Sequence, residues 1–195
     1  MKMCYSQKKI NNKGFTLIEL IVVLAIIVVM AGAATVTVSM LSSSYAEDAE
    51  RGIKDYISLG RTKSMSISAK EWYVALTTID DDYYVCLYKV TQQVNDDGTT
   101  SLNTSLIEKE KLGNKISIYF STSMNADGDL VDKRLIDETN ELKLYYDHST
   151  GKINDVKYGL EDPDMTSGIG YIGIERNNYV INLKVFYNTC KCERE

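Results

Sequence analysis

Few residues in this sequence have the types and spacing that catalysis requires. His148, the only histidine, lies between Asp147 and Ser149, and an acid, a histidine and a serine can together activate a hydroxyl nucleophile. Neighbouring residues of a β-strand point to opposite faces, so these three side chains are not expected to converge. The sequence also lacks a Gly-rich phosphate loop, an HExxH motif and a CxxC motif. We therefore expect no enzymatic activity.

Two acidic segments could supply oxygen ligands to a cation. Their members are Asp80, Asp81 and Asp82 in the first segment, and Asn125, Asp127, Asp129 and Asp132 in the second. Oxygen ligands at alternate positions suit calcium. However, Gly128 stands at the wrong position for an EF-hand loop, and the closing glutamate is missing. We expect solvated turn residues, no metal site and no cofactor, with calcium binding as the alternative.

Three of the four cysteines, Cys86, Cys190 and Cys192, follow the first 14 residues. The Cys190-x-Cys192 pair has no further Cys or His cluster nearby, which is poor for zinc because zinc usually takes four ligands. A disulfide from Cys86 to Cys190 or Cys192 is one expectation, and free thiols are the other, since the redox compartment is not known. With three cysteines, at least one thiol stays unpaired unless it bridges to another molecule.

The elements that must position these residues begin with a long apolar segment. The first 14 residues contain four lysines and no acid, and every residue from 20 to 34 is apolar or glycine. A helix of ~25 residues, rising ~1.5 Å per residue, is long enough to cross a bilayer core of ~30 Å. The upstream lysines favour a cytoplasmic N-terminus. The segment therefore predicts a transmembrane helix over residues 15–41.

Glu19 is the one charged residue between residues 17 and 41. An acid within a membrane helix costs roughly 3 kcal/mol on insertion scales, so such a residue usually has a partner. An ordinary secretory signal peptide with a cleavage site at residues 31–34 is an alternative interpretation. The acid inside the apolar run argues against that alternative.

The segment around Glu19 closely resembles the leader of type IV prepilins and type II secretion pseudopilins. The matching residues are Lys13, Gly14, Phe15, Thr16, Leu17, Ile18 and Glu19, followed by the aliphatic run. The resemblance implies that residues 1–14 are a leader, cut between Gly14 and Phe15 by a membrane-bound prepilin peptidase. It also implies N-methylation of Phe15. Glu19, paired with the amino terminus of a Phe15, would set the register of subunits in a filament, as buried polar residues do in coiled coils.

The same resemblance implies a structural subunit of a type IV pilus or type II secretion-like pseudopilus. Its partners would be the prepilin peptidase, other pilin or pseudopilin subunits, a membrane assembly platform and the lipid bilayer. The subunit would cross the cytoplasmic membrane once, with its head outside, and then join an extracellular or periplasmic filament. Many major pilins carry a proline in this helix, whereas the only proline here is Pro163. This departure favours a minor subunit.

Two other functions remain open on the sequence. One is a competence-type pseudopilin whose head contacts DNA, and the other is an uncleaved, membrane-anchored surface protein. The net charge is −5, and it becomes more negative once the N-terminal lysines are removed. An acidic protein of this kind repels nucleic acid on average, which disfavours the first alternative.

The helix is predicted to continue over residues 42–69 as an amphipathic segment. Residues spaced three and four apart form one stripe: Tyr45, Ala49, Ile53, Tyr56, Ile57, Gly60, Ser64 and Ile67. A separate second helix, after a break at Ser42, Ser43 and Ser44, is the alternative. One continuous helix would reach from Phe15 to about Ala69, with its second half needing a cover.

The remaining part, residues 70–195, is predicted to be a β-rich head. Segments with a period of two predict strands over residues 72–79, 83–91, 115–121, 141–147, 153–158, 169–176 and 179–187. A long helix followed by an antiparallel sheet is an α+β pattern. A helix running into a Trp-containing strand, here Gly60 to Val74, is also similar to minor pseudopilins of the GspH/FimT type.

Overall fold

The computed structural model describes residues 16–66, 71–94, 99–113 and 115–195, without the side chains of residues 33–42 and 94. The described residues form one helix and antiparallel sheets, which confirms the predicted α+β class. The chain falls into two units, one ending at Met40 and the other comprising Leu41–Glu195. We refer to the second unit as the head.

Helix α1 spans Leu17–Ser66 without interruption. It passes through Ser42, Ser43 and Ser44, so the alternative with a break at these serines is wrong. Phe15 and the last predicted residues, 67–69, lie outside the described residues. Within the part of the chain that the structure describes, no helix has the combination of length and apolar character that a membrane crossing requires.

The strands follow the helix in chain order. They are β1 (Glu71–Ile79), β2 (Asp82–Val94), β3 (Thr100–Lys111), β4 (Ser117–Ser121), β5 (Ser123–Met124), β6 (Leu130–Val131), β7 (Arg134–Leu135), β8 (Leu142–Tyr146), β9 (Ile153–Tyr158), β10 (Ile169–Arg176), β11 (Tyr179–Phe186) and β12 (Lys191–Arg194). Sheet A has the order β3-β2-β1-β8-β9, and sheet B has the order β12-β11-β10-β4-β7. Strands β5 and β6 form a small separate pair. The head thus contains two five-stranded sheets where one had been expected.

One core joins the head segment of the helix to both five-stranded sheets. The helix contributes Ala46, Ala49, Ile53, Tyr56 and Ile57, each no more than 5% exposed. These side chains belong to one buried cluster with residues of sheets A and B. Full burial of an aliphatic side chain stabilises a fold by about 1.5–3 kcal/mol. The two sheets of the head therefore cover this part of the predicted apolar stripe.

A second, smaller cluster lies on the opposite face of sheet A. In β1 the residues of the main core, Trp72 and Val74, alternate with Tyr73 and Ala75 of the second cluster. Cys86 of β2, opposite Ala75, is also a member. We call this side of sheet A the outer face. Both faces of the central strand are therefore packed.

The hairpin between β1 and β2 has a two-residue turn. Its residues, Asp80 and Asp81, have φ angles of 52° and 65°, and Ile79 pairs with Asp82. Positive φ at both central residues is the requirement of a type I′ turn, which aspartate tolerates better than most residues. The predicted turn is thus confirmed, with Asp82 as the first strand residue.

Candidate functional site at the helix start

The first turn of α1 is closed by a reciprocal pair of side-chain hydrogen bonds. The Glu19 carboxylate accepts the Thr16 backbone N–H at 2.8 Å and the Thr16 hydroxyl at 2.9 Å. The Glu19 backbone N–H donates to the Thr16 hydroxyl oxygen at 3.3 Å. This is a capping box, which satisfies N–H groups that have no partner within the helix. Glu19 therefore has a local partner at the N-terminus of the helix.

The predicted pairing of Glu19 involves the amino terminus of Phe15, which is not among the described residues. Gly14 and Phe15, the predicted cleavage and methylation sites, lie outside the described residues. The capping role of Thr16 was missed in the sequence, although the Thr-x-x-Glu pattern before an apolar run is its known signal. An acid near the N-terminus also interacts favourably with the helix dipole. The predicted pairing is compatible with the capping role of Glu19, because a carboxylate accepts several hydrogen bonds.

The side chains that follow Glu19 are apolar and exposed. The large ones are 51–79% exposed: Leu17, Ile18, Leu20, Ile21, Val22, Val23, Leu24, Ile26, Ile27, Val28, Val29 and Met30. Nearly consecutive residues of a helix point to all sides, so this surface is apolar all round. A helix of this kind is typically buried in a membrane or in a core of other helices. Among the described residues this apolar surface stays exposed, so an apolar environment would stabilise it.

The three cysteines of the head are free thiols. Cys86 belongs to the cluster on the outer face of sheet A, while Cys190 belongs to the main core and Cys192 packs against it. The Cys190 thiol donates to the Gly151 carbonyl oxygen at 3.1 Å. The structure thus has the free-thiol arrangement and no bridge from Cys86, because strand β2 directs Cys86 away from the main core.

Burial, partial for Cys192, favours the protonated form of all three thiols. Desolvation raises the pKa of Cys86 and of Cys190, and it raises the pKa of Cys192 to about 12. The thiolate is the nucleophile and the metal ligand, so a thiol with a raised pKa is poorly reactive. These cysteines have the properties of core residues.

The predicted acidic segments form turns. Asn125 Oδ1 accepts the backbone N–H groups of Asp127 at 3.0 Å and Asp129 at 2.8 Å. Asp80 and Asp81 form the hairpin turn described above. In the described ranges, no group of three or more His, Cys, Asp or Glu side chains is placed to hold a metal ion. The arrangement fits the turn interpretation.

The prediction that the side chains of Asp147, His148 and Ser149 do not converge was wrong for one pair. Asp147 and Ser149 do meet, since the Asp147 carboxylate accepts the Ser149 backbone N–H at 3.0 Å and its hydroxyl at 2.6 Å. The segment is a turn and not a strand, so residues two apart approach each other. Further hydrogen bonds from Thr150 help to hold the pKa of Asp147 well below its usual range. The carboxylate acts as a turn cap, and His148 is exposed.

Comparison with known proteins gives one match. The family described as the prokaryotic N-terminal methylation motif matches residues 9–35. No curated protein and no solved structure matches the chain. The match supports a prepilin-type N-terminus, which implies processing by a prepilin peptidase and assembly with other pilin-type subunits in general.

Proposed function

We propose that this protein is a minor structural subunit of a type IV pilus or a type II secretion-like pseudopilus. It joins the filament through its N-terminal helix after removal of residues 1–14. The observation that carries the proposal is the methylation motif over residues 9–35. The motif includes Gly14, Phe15 and Glu19, the residues at which cleavage, methylation and register are expected.

The exposed apolar surface of the helix supports this function. Between Leu17 and Met30 the large side chains are at least half exposed among the residues that the structure describes. Lipid before assembly, and the helices of neighbouring subunits after it, would both remove this surface from water. We therefore propose a single-pass anchor in the cytoplasmic membrane over residues 15–41, with the head outside, followed by transfer to an extracellular or periplasmic filament.

The proposal of a minor subunit draws on the composition of the helix and on its junction with the head. Residues 15–41 contain no proline, and Gly32 is the only glycine among them. We further propose a subunit of the GspH/FimT type. This is supported by a small residue, Gly60, near the end of the helix, followed by Trp72 in the first strand. Other subunits and a membrane assembly platform are the proposed partners.

Glu19 is proposed to serve assembly through its charge. The N-terminal amine of a mature Phe15 and the Glu19 carboxylate would neutralise each other within an apolar bundle, where an isolated charge is strongly disfavoured. The capping box shows that Glu19 also stabilises the helix start, so a test must separate the two effects. Glu19→Gln keeps an oxygen acceptor but removes the charge. Thr16→Ala removes the capping hydroxyl but keeps the charge.

The experiment compares these two variants in cells, with membrane fractions and sheared filament fractions probed by immunoblot. We expect both variants in the membrane, and we expect only Glu19→Gln to be lost from filaments. Equal loss of both variants would assign the effect to helix capping. Normal assembly of Glu19→Gln would contradict the charge-pairing role.

The mature N-terminus tests the wider assignment. Mass spectrometry of the purified protein should give a chain that begins at N-methylated Phe15. A chain that begins at Met1 would instead identify an uncleaved membrane-anchored protein and would overturn the proposed function.

A further inference from the structure

A groove crosses the outer face of sheet A beside a row of three tyrosines whose rings pack on one another. Its volume is about 620 Å³, within the ~300–1,000 Å³ range of ligand sites. Residues from all five strands line it, from Leu102 of β3 to Lys157 of β9. The groove thus runs across the strands, and an extended ligand would fit it better than a compact one.

The Tyr145 ring forms one wall of the groove and is held in place by neighbouring tyrosines. The Tyr145 ring packs on the Tyr73 ring with centroids 4.8 Å apart, and Tyr73 stacks on Tyr88 at 4.8 Å. The three tyrosines lie side by side because Tyr73 is the register partner of both others. A ring held in this way loses little conformational entropy when a ligand stacks on it. Val90 and Leu102 extend the apolar part of the lining.

The rest of the lining is polar and carries excess negative charge. The charged residues there are Glu71, Asp147, Asp155 and Lys157. Gln92 and Asn154 add amide groups that both donate and accept hydrogen bonds. The lysine amine lies 4.0 Å from the Asp155 carboxylate. Three acids against one lysine give a wall that repels phosphate, which disfavours a nucleic acid in the groove.

We propose that this groove binds a neutral oligosaccharide. A sugar ring has an apolar C–H face that can stack on Tyr145. Its hydroxyl groups donate to the Glu71 and Asp155 carboxylates and accept from the Gln92 and Asn154 amides. The absence of charge on the ligand avoids repulsion by the acidic wall. This binding function belongs to the head alone and does not depend on the proposed filament role.

The test uses the full-length chain in an amine-oxide detergent, since a glycoside detergent would compete for the groove. Cellohexaose, maltohexaose and chitohexaose are titrated by calorimetry, and a glycan array of neutral and sialylated oligosaccharides is probed in parallel. We expect at least one neutral oligosaccharide to bind with a Kd below about 1 mM. Single-stranded DNA serves as the polyanionic probe and should not be retained.

Two groove variants and one matched control locate the binding. We expect Tyr145→Leu and Asp155→Ala to weaken binding by about tenfold or more, as loss of a central contact does in other sites. Tyr145→Phe keeps the ring and should bind within about twofold of the unchanged protein. Tyr84→Leu changes a half-buried tyrosine of the outer face that does not line the groove, and it should leave binding unchanged.

Several results would overturn the proposal. They are the absence of binding by every neutral oligosaccharide, binding of sialylated glycans or DNA alone, and binding that survives both groove variants while these remain folded. Trp72 fluorescence reports folding of each variant, because this single tryptophan is 3% exposed in the main core.

Discussion

Two segments of the same helix use apolar residues in opposite ways. Between Leu17 and Met30, apolar side chains cover all sides of the helix and remain exposed. Between Ala46 and Ile57, they are confined to one stripe that is buried under the two sheets. In the described part of the chain the first segment stays exposed, whereas the second is covered by the sheets of the head. The difference separates apolar residues that are available for the proposed assembly from apolar residues that stabilise the fold.

The largest difference between the two segments is expected when an isoleucine in each is truncated. Ile57 is 0% exposed and Ile27 is 55% exposed. Ile57→Ala should lower the free energy of unfolding of the head by about 2–5 kcal/mol, since it removes buried methylenes and leaves a cavity. Ile27→Ala should leave that free energy unchanged. Denaturant unfolding of the detergent-solubilised chain, followed by Trp72 fluorescence, measures both free energies. Equal changes in the two variants would contradict the prediction.

A second pair of variants compares two glycines of the helix. A Cβ added at Gly60 would lie 2.7–3.0 Å from atoms of the Tyr146 side chain, whereas one added at Gly32 would meet no atom within 4 Å outside the backbone of its own helix. Gly60→Ala should therefore destabilise the head by about 1–3 kcal/mol through overpacking. Gly32→Ala should improve helix propensity without any packing cost. Thermal unfolding by circular dichroism at 222 nm measures the two, and a neutral Gly60→Ala would contradict the close packing.

A smaller loss of stability is expected when the hydrogen bond that joins β8 to the helix is removed. The Tyr146 hydroxyl donates to the Ile57 carbonyl oxygen at 3.1 Å in a buried site. Tyr146→Phe removes this bond and should cost about 1 kcal/mol. Tyr171→Phe is the control, because Tyr171 alternates with core residues of β10 and faces away from the core. The denaturant midpoint of Tyr146→Phe should be lower than that of Tyr171→Phe. Coincident midpoints would show that the buried hydrogen bond contributes nothing to stability.

The smallest predicted effect concerns the thermal stability of the head at low pH. The Asp137 carboxylate accepts hydrogen bonds from Thr139 and Asn140, which lower its pKa from 3.8 to about 2. A lowered pKa means that the stabilisation is complete above about pH 4 and is lost as the pH falls towards 2. Asp137→Asn should therefore make the decline in Tm between pH 4 and pH 2 shallower. Glu138→Gln changes an exposed neighbour and is the control. Its Tm should vary with pH as in the unchanged protein. Identical pH profiles of Tm for Asp137→Asn and the unchanged protein would refute the prediction.

Strong periodic patterns made much of this fold predictable. The 3.6-residue stripe predicted the helix, and the period of two predicted β9 and β10 with the bounds that the structure has. Strand β3 was missed because almost all of its residues are exposed, so neither face is marked by apolar residues. Among the described strands it pairs with β2 alone, and an edge strand with two exposed faces leaves a weak sequence signal.

Contacts between distant segments were harder to predict than the elements. The division of the strands into two sheets depends on pairings such as β1 with β8, which join residues about 70 positions apart and have no local signal. At the candidate site, Glu19 was predicted as a residue with a partner, but its bond to Thr16 was missed. Asp147 and Ser149 were misjudged because a strand was assumed where the chain turns.

The polar contacts of the helix have a mechanical consequence. Within the head, Glu47 accepts from Tyr179, Glu50 pairs with Arg194, and Arg61 donates to the Thr189 carbonyl. With the bond from Tyr146 to Ile57, these contacts link the helix to strands of both sheets and to the turn before β12. A tensile load along the helix would be shared among these contacts in shear. The head should therefore resist extraction of its helix more strongly than any single contact could.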